Sequence, residues 1–240
     1  MERLDKILTS QGICSRKETK SLALKQKIKI NGTVTRRSDI KIDPDNDIIE
    51  IDGVPVTYRR RVYIMMNKPK GVLSASSDRN SRTVIDLLPE DFKRKDLFPA
   101  GRLDKDTTGL LIITDDGDFA HRMLSPKSHV YKLYNAVLDG ELSDEQIKIL
   151  ENGIELLDGT RFKPARVSIP DKSSRTSVNI EICEGKYHQV KRMFEYVGLN
   201  VQELCRLKIG NLYLDKKLTY GECRYLEDFE LKDVFDRHYD

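Results

Sequence analysis

Two aspartates, Asp104 and Asp106, share the stretch GRLDKDTTG at 101–109 with Arg102, Lys105, Thr107 and Thr108. A carboxylate that acts as a nucleophile must stay ionised, and a neighbouring guanidinium or ammonium favours that form. Three further aspartates, Asp115, Asp116 and Asp118, surround Gly117 just after the apolar run LLII at 110–113. That string has the chemistry of a turn and of an N-cap for a following helix, so these three read as structural. A second charged group lies in KYHQVKRMFEYVG at 186–198. Val190, Met193, Phe194 and Val197 fall at i, i+3, i+4 and i+7 and form a buried helical stripe. His188, Lys191 and Arg192 are left on the other face near the helix N-terminus, where they could hold phosphates or, for Lys191, pair with Asp104. The cysteines (Cys14, Cys183, Cys205, Cys223) and histidines (His121, His129, His188, His238) are scattered. The spacing predicts neither a zinc site nor a disulfide framework.

The elements that must position these groups form an irregular series. Patterning predicts strands over 62–67, 110–114, 130–138, 176–183 and 201–214, and helices over 83–88, 117–124, 143–152 and 187–197. Strands and helices do not alternate as a doubly wound fold requires, so the expected fold class is α+β around a mainly antiparallel, mixed sheet. NKPKG at 67–71 reads as a turn closing a strand. Arg206 and Lys208 in LCRLKIG at 204–210 could line an RNA groove or guard an edge strand against aggregation.

Charge divides the chain further. The net charge is +3, but residues 1–42 carry eleven Lys/Arg against four Asp/Glu, which is +7 and leaves −4 for the rest. Such asymmetry fits a polyanion-binding module on a near-neutral body, or a solvated face. Leu4, Ile7 and Leu8 make a short apolar stripe closed by Gly12. Ser15 and Glu18 have capping-box spacing, predicting a helix over 16–26 with Arg16, Lys17 and Lys20 on one face. Ile28 to Ile30, the Asn31-Gly32 turn and alternation over 47–51 follow. The expected organisation is a small N-terminal domain over 1–53, a linker over 54–61 and a larger domain over 62–240. Apolar runs are too short to cross a bilayer and none follows Met1 as a signal segment, so a cytoplasmic protein is expected.

Residues 3–53 resemble an S4 domain, a small RNA-binding module, in the Ser15-Arg16 helix start and the Asn31-Gly32 turn. The resemblance implies that the basic helix face of Arg16, Lys17 and Lys20 binds RNA phosphates. The string DKDTT at 104–108 also fits the Asp-x-Asp-x-Thr pattern of magnesium-dependent phosphatases of the haloacid dehalogenase type. In those proteins it follows a buried strand, whereas here it precedes one. A resemblance over 62–230 rests on three motifs in order: MNKPKGV at 65–71, AGRLDKDTTGLLIITDDGDFAHRMLSPKSHVYKLY at 100–134 and EGKYHQVKRMFEYVG at 184–198. It is to the ribosomal pseudouridine synthases that carry an N-terminal S4 domain. DTTG at 106–109, TDDG at 114–117, and His121-Arg122 with Ser125-Pro126 look most like the small-subunit (16S rRNA) branch.

That resemblance implies an enzyme needing no metal or redox cofactor, acting on 16S rRNA or a partly assembled small subunit, as a monomer. It places the essential aspartate on Asp104, a base-stacking tyrosine on Tyr134 of the Lys132-Leu133-Tyr134 motif, and the basic partner of Asp104 on Lys191. Many relatives have Arg at that last position, so a bidentate clamp is replaced here by a point charge. Arg102, His188 and Arg192 are the expected RNA contacts of the cleft. A large-subunit (23S rRNA) synthase and a non-catalytic ribosome-assembly factor stay open as alternatives.

Overall fold

The computed structural model describes residues 1–171 and 173–236, so His238 lies outside the described residues. The chain divides into two compact units, residues 1–62 with 89–97, and residues 63–88 with 98–240.

In the first unit, helices Leu4–Ser10 and Arg16–Leu24 pack Leu4, Ile7, Leu8 and Ala23 against Ile28, Ile42 and Ile49. The second helix starts as its spacing dictates. The Glu18 backbone N–H donates to the Ser15 hydroxyl at 3.2 Å, and the Ser15 N–H donates to Glu18 Oε2 at 2.7 Å. It ends at Leu24, two residues before the expected end, because Gln26 takes a left-handed backbone at φ 60°. The sheet beside these helices runs Thr33–Thr35, Ile28–Ile30, Ile49–Ile51, Val54–Pro55, all antiparallel. Residues 54–55, expected at the start of the linker, are thus its fourth strand. Asn31 and Gly32 both have positive φ, at 50° and 78°, as a two-residue hairpin turn of this twist requires.

In the second unit, a nine-stranded sheet has the order Arg166–Ser168, Ser177–Ile182, Lys132–Leu138, Val201–Ile209, Thr108–Thr114, Tyr63–Lys68, Cys223–Tyr225. Phe98–Ala100 and Leu212–Tyr213 pair off this path. Every pairing in it is antiparallel except that of Val201–Ile209 with Thr108–Thr114, which is parallel. The expectation of an α+β body on a mainly antiparallel, mixed sheet therefore holds. Thr108–Thr114 is buried at every residue, which explains its unbroken apolar run. Lys132–Leu138 alternates buried and half-buried residues. Helices Gly117–Leu124, Asp144–Asn152 and Gln189–Tyr196 fall within their expected ranges.

Three expectations need correction. Residues 83–88 form turns, because the Asp86 carboxylate accepts from both the backbone N–H and the hydroxyl of Thr83 and closes the chain locally. The strand expected over 201–214 breaks at Gly210, whose φ is 58° and where a side chain would strike the Val234 carbonyl. Arg206 and Lys208 do not guard an edge, since their strand has neighbours on both sides. Asp116 does cap the 117–124 helix, accepting from the N–H groups of Asp118 and Phe119 at 3.0 and 3.1 Å. Among the described residues no helix is long and apolar enough to cross a membrane.

Candidate active site

The loop 101–107 that carries Asp104 has little regular structure of its own and is held from below by a buried lysine. Lys68 ends the strand Tyr63–Lys68 with none of its surface exposed. Its Nζ donates to the carbonyl oxygens of Pro69 at 3.0 Å, Asp104 at 3.1 Å, Lys105 at 3.4 Å and Thr107 at 3.0 Å. An ammonium so buried survives only when its hydrogens are taken up. Here three of the four acceptors are the loop's own carbonyls, so holding the charge and shaping the loop are one act. Burial lowers the Lys68 pKa to about 8 against the opposing pull of Asp106 and Asp104. The Ser74 hydroxyl also donates to the Leu103 carbonyl at 2.9 Å and accepts from the Leu103 N–H at 3.1 Å. Sequence patterning reads 67–71 as a turn alone and misses this part of Lys68. Three of the acceptors are brought in from 36 to 39 residues away, which no local pattern records.

The Asp104 carboxylate faces the start of the helix Gln189–Tyr196. His188 is the N-cap residue, left-handed at φ 47° and ψ 34°, with its ring stacked on Tyr187 at 3.9 Å. Its Nε2 lies 3.5 Å from Asp104 Oδ1, and Lys191 Nζ lies 3.6 Å from Asp104 Oδ2. Lys191 is nearer to Asp106, donating to its two oxygens at 2.6 and 2.7 Å. That hydrogen-bonded ammonium holds the Asp106 carboxyl below the usual carboxylate range. The expected pairing of Lys191 with Asp104 is thus shared with a second carboxylate.

Tyr134 lies across the same cleft, 8% exposed, in register with Ile180 and Arg206 on the flanking strands. A bulge between Leu133 and Tyr134 sets it opposite Arg206. Arg206 is buried among apolar neighbours, with Nε donating to the Leu110 carbonyl at 2.8 Å and Nη1 3.5 Å from the Tyr134 hydroxyl. Sequence reading left Arg206 as a groove or edge residue and missed this support of the tyrosine. Lys132, two residues before Tyr134 on the same face, is 6% exposed, and burial lowers its pKa to about 8 with a further push from the Arg206 charge. Lys208 is instead engaged with Glu181 at 3.1 Å.

Asp104, Tyr134, His188 and Lys191 line one open cleft enclosing about 420 Å³, with the exposed Arg102 at its edge. Arg192 is placed differently from expectation. It forms an ion pair with Asp158 and lies over the Phe162 ring, so it is not gathered with the other two cations. Arg16, Lys17 and Lys20 are exposed on the Arg16–Leu24 helix of the first unit. A cleft with a carboxylate between two basic groups, and an aromatic ring opposite, can attack or unload a flat heterocycle held on the ring.

Comparison with known proteins gives this arrangement its context. A profile of the RNA pseudouridylate synthase family matches residues 62–196. An RNA pseudouridine synthase of Bacillus subtilis is 46% identical over 95% of this chain and 96% of its own. Ribosomal large subunit pseudouridine synthase B of Bacillus subtilis is 37% identical over 97% of this chain and 95% of its own. Ribosomal small subunit pseudouridine synthase A of Escherichia coli is also 37% identical, over 97% and 99%. A crystal structure of a pseudouridylate synthase, 34% identical, superposes with a TM-score of 0.67 over 98% of this chain and 100% of that one.

Proposed function

Because the chain belongs to the RNA pseudouridylate synthase family, and so to a family of isomerases, we propose that it converts a uridine of ribosomal RNA to pseudouridine. The observation that carries this reading is the convergence of Asp104, Lys191, His188 and Tyr134 on one cleft. Asp104 is the nucleophilic carboxylate, with Lys191 Nζ and His188 Nε2 at 3.6 and 3.5 Å from its two oxygens. It assists rupture of the bond between N1 of uracil and C1′ of the ribose. The freed base stays stacked on the Tyr134 ring, which replaces the neighbours it lost on leaving the RNA stack. After rotation, C5 bonds to C1′, the hydrogen of C5 departs as a proton and N1, which kept the electron pair of the broken bond, takes one up, so the product is an isomer of the substrate. Arg102 and His188 steady the flanking phosphates, while Arg16, Lys17 and Lys20 grip RNA from an S4-like first unit as point charges.

The small subunit is the proposed target. Support comes from the motifs at 106–109, 114–117 and 121–126, which resemble the small-subunit branch. Identity to the large-subunit and small-subunit relatives is equal at 37%, so both RNAs belong in the test. The same reading makes the protein a cytoplasmic monomer. The experiment is release of tritium from 5-tritiated uridine in 16S and 23S rRNA, each free and partly protein-bound, by wild type and Asp104→Asn. Release by wild type alone supports the reaction and its nucleophile. Release only from 23S rRNA moves the target to the large subunit. Tight binding with no release from any substrate favours a non-catalytic assembly factor.

A further inference from the structure

Residues 89–97 lie in sequence between two stretches of the second unit, yet they fold with the first. We propose that this return builds a second RNA-phosphate-binding surface on the first unit, made by Arg59, Arg60 and Arg61 together with Lys93, Arg94 and Lys95. It is made of other residues than the Arg16–Lys20 helix face, and it rests on the ribosomal RNA reading above.

The two cationic tripeptides are more than thirty residues apart and are locked together through backbone groups. The Arg59 carbonyl accepts from Gln11 Nε2 at 3.2 Å and from Arg94 Nη1 at 2.8 Å, while the Arg59 N–H donates to Gln11 Oε1 at 3.0 Å. Gly12 lets the returning segment approach: at φ 73°, a Cβ there would lie 2.4 Å from the Lys93 carbonyl oxygen and 3.2 Å from Arg94 Cα. Only glycine meets both demands without displacing the segment. Arg59, Arg60, Arg61, Lys93 and Lys95 are exposed. Within the returning segment Glu90 pairs with Lys93 at 2.5 Å and Asp96 lies 4.0 Å from Lys95. With Asp91 counted, residues 59–61 and 89–97 still carry a net charge of +3.

Gathering like charges costs free energy that an opposing polyanion returns. All six side chains are Arg or Lys, with no amide, hydroxyl or aromatic group among them. Such a set fits phosphate oxygens, to which guanidinium groups donate in pairs and which position RNA without reading its sequence. The surface therefore adds affinity and orientation, not sequence choice.

The test uses full-length wild type, Arg60→Glu/Lys95→Glu, Arg16→Glu/Lys20→Glu and Gly12→Ala, with a fluorescein-labelled, mixed-sequence RNA duplex of about 20 base pairs. Anisotropy titrations are run across a series of KCl concentrations. Arg60→Glu/Lys95→Glu should bind at least about tenfold more weakly at low salt, with a log–log salt slope shallower by about two. Gly12→Ala retains every cation but cannot hold the returning segment, so it should shift in the same direction. If Arg60→Glu/Lys95→Glu keeps the wild-type affinity and slope while Arg16→Glu/Lys20→Glu loses them, the surface is not used. A folded Gly12→Ala protein with the wild-type slope would overturn the claim that the return assembles it. Tritium release by wild type, measured on the same preparations, separates the two ideas. Release with an unchanged slope in the double variant rejects this surface alone. RNA binding without release by wild type rejects the reading beneath it.

Discussion

At the mouth of the cleft two carboxylates compete for one ammonium. Lys191 bonds to Asp106, whose side chain is 68% exposed, and stands 3.6 Å from Asp104, whose side chain is 31% exposed. An exposed ion pair contributes little, so Asp106 is best understood as parking Lys191 near its working place. Asp106→Asn should then leave single-turnover tritium release within about tenfold of wild type, while Asp104→Asn should lower it at least about a thousandfold. An equal loss in both variants would return the nucleophile question to Asp106. Tyr134 divides in the same way between ring and hydroxyl. Its hydroxyl meets Arg206 at only 3.5 Å, so Tyr134→Phe should change the rate little. Tyr134→Ala removes the stacking face and should cost about ten- to hundredfold, the range expected for one aromatic–base contact. A Phe variant as slow as Ala would show instead that the hydroxyl takes part in the chemistry. Asp104, Tyr134 and Lys191 were picked out together by the resemblance of their motifs, and the fold brings the three to line one cleft. Lys68 and Arg206 were not, because buried cations defy the expectation that Lys and Arg lie outside, and most of their partners come from distant stretches of the chain.

Between the elements, one parallel contact holds the site together. Gly109 follows the Asp104 loop and pairs with Arg206 across the junction of Thr108–Thr114 and Val201–Ile209. Its φ is 100°, and a Cβ would lie 2.3 Å from the Arg206 carbonyl oxygen and 2.7 Å from the Arg206 nitrogen. Backbone cannot yield as a flexible side chain would, so Gly109→Ala should cost about 3 kcal/mol or more in urea unfolding. It should also reduce activity, since Asp104 and the support of Tyr134 flank the same junction. A loss below about 1 kcal/mol would mean that the strands part without harm. Sequence pattern recovered the elements that have a strong period, such as the LLIIT strand and the buried Val190, Met193 and Phe194 of the later helix, although that helix ends at Tyr196 and leaves Val197 half-buried beyond it. It failed at 83–88, where apolar residues sit at helical spacing but Asp86 bonds back to Thr83 and turns the chain. The local hydrogen bond won over the weak propensity of so short a segment.

Across the whole molecule, charge is arranged at two depths. The exposed excess on residues 1–42 was visible in composition alone. The return of residues 89–97 to the first unit was not, since their polar pattern describes any loop. Deeper still, Lys68, Lys132 and Arg206 place three cations inside the second unit, and this inner charge is a cost to stability that pH can relieve. Lys132 has a pKa of about 8 in the folded chain against 10.5 for the free side chain, with burial the main cause. Below pH 7 it is protonated in both states, and folding must bury the charge. Between pH 8 and 10.5 the unfolded chain holds the extra proton, so stability rises with pH across that window. Lys132→Met removes the effect while keeping the length of the side chain. The variant should be more stable than wild type at pH 7, by up to about 3 kcal/mol. Its advantage should shrink as pH climbs through 8 toward 10.5, because wild type then sheds the proton on folding. Urea midpoints of the two proteins at neutral and alkaline pH check this, and the contribution of Lys68, common to both, cancels in the difference. A gap that stays constant with pH would mean that Lys132 keeps its proton in the fold.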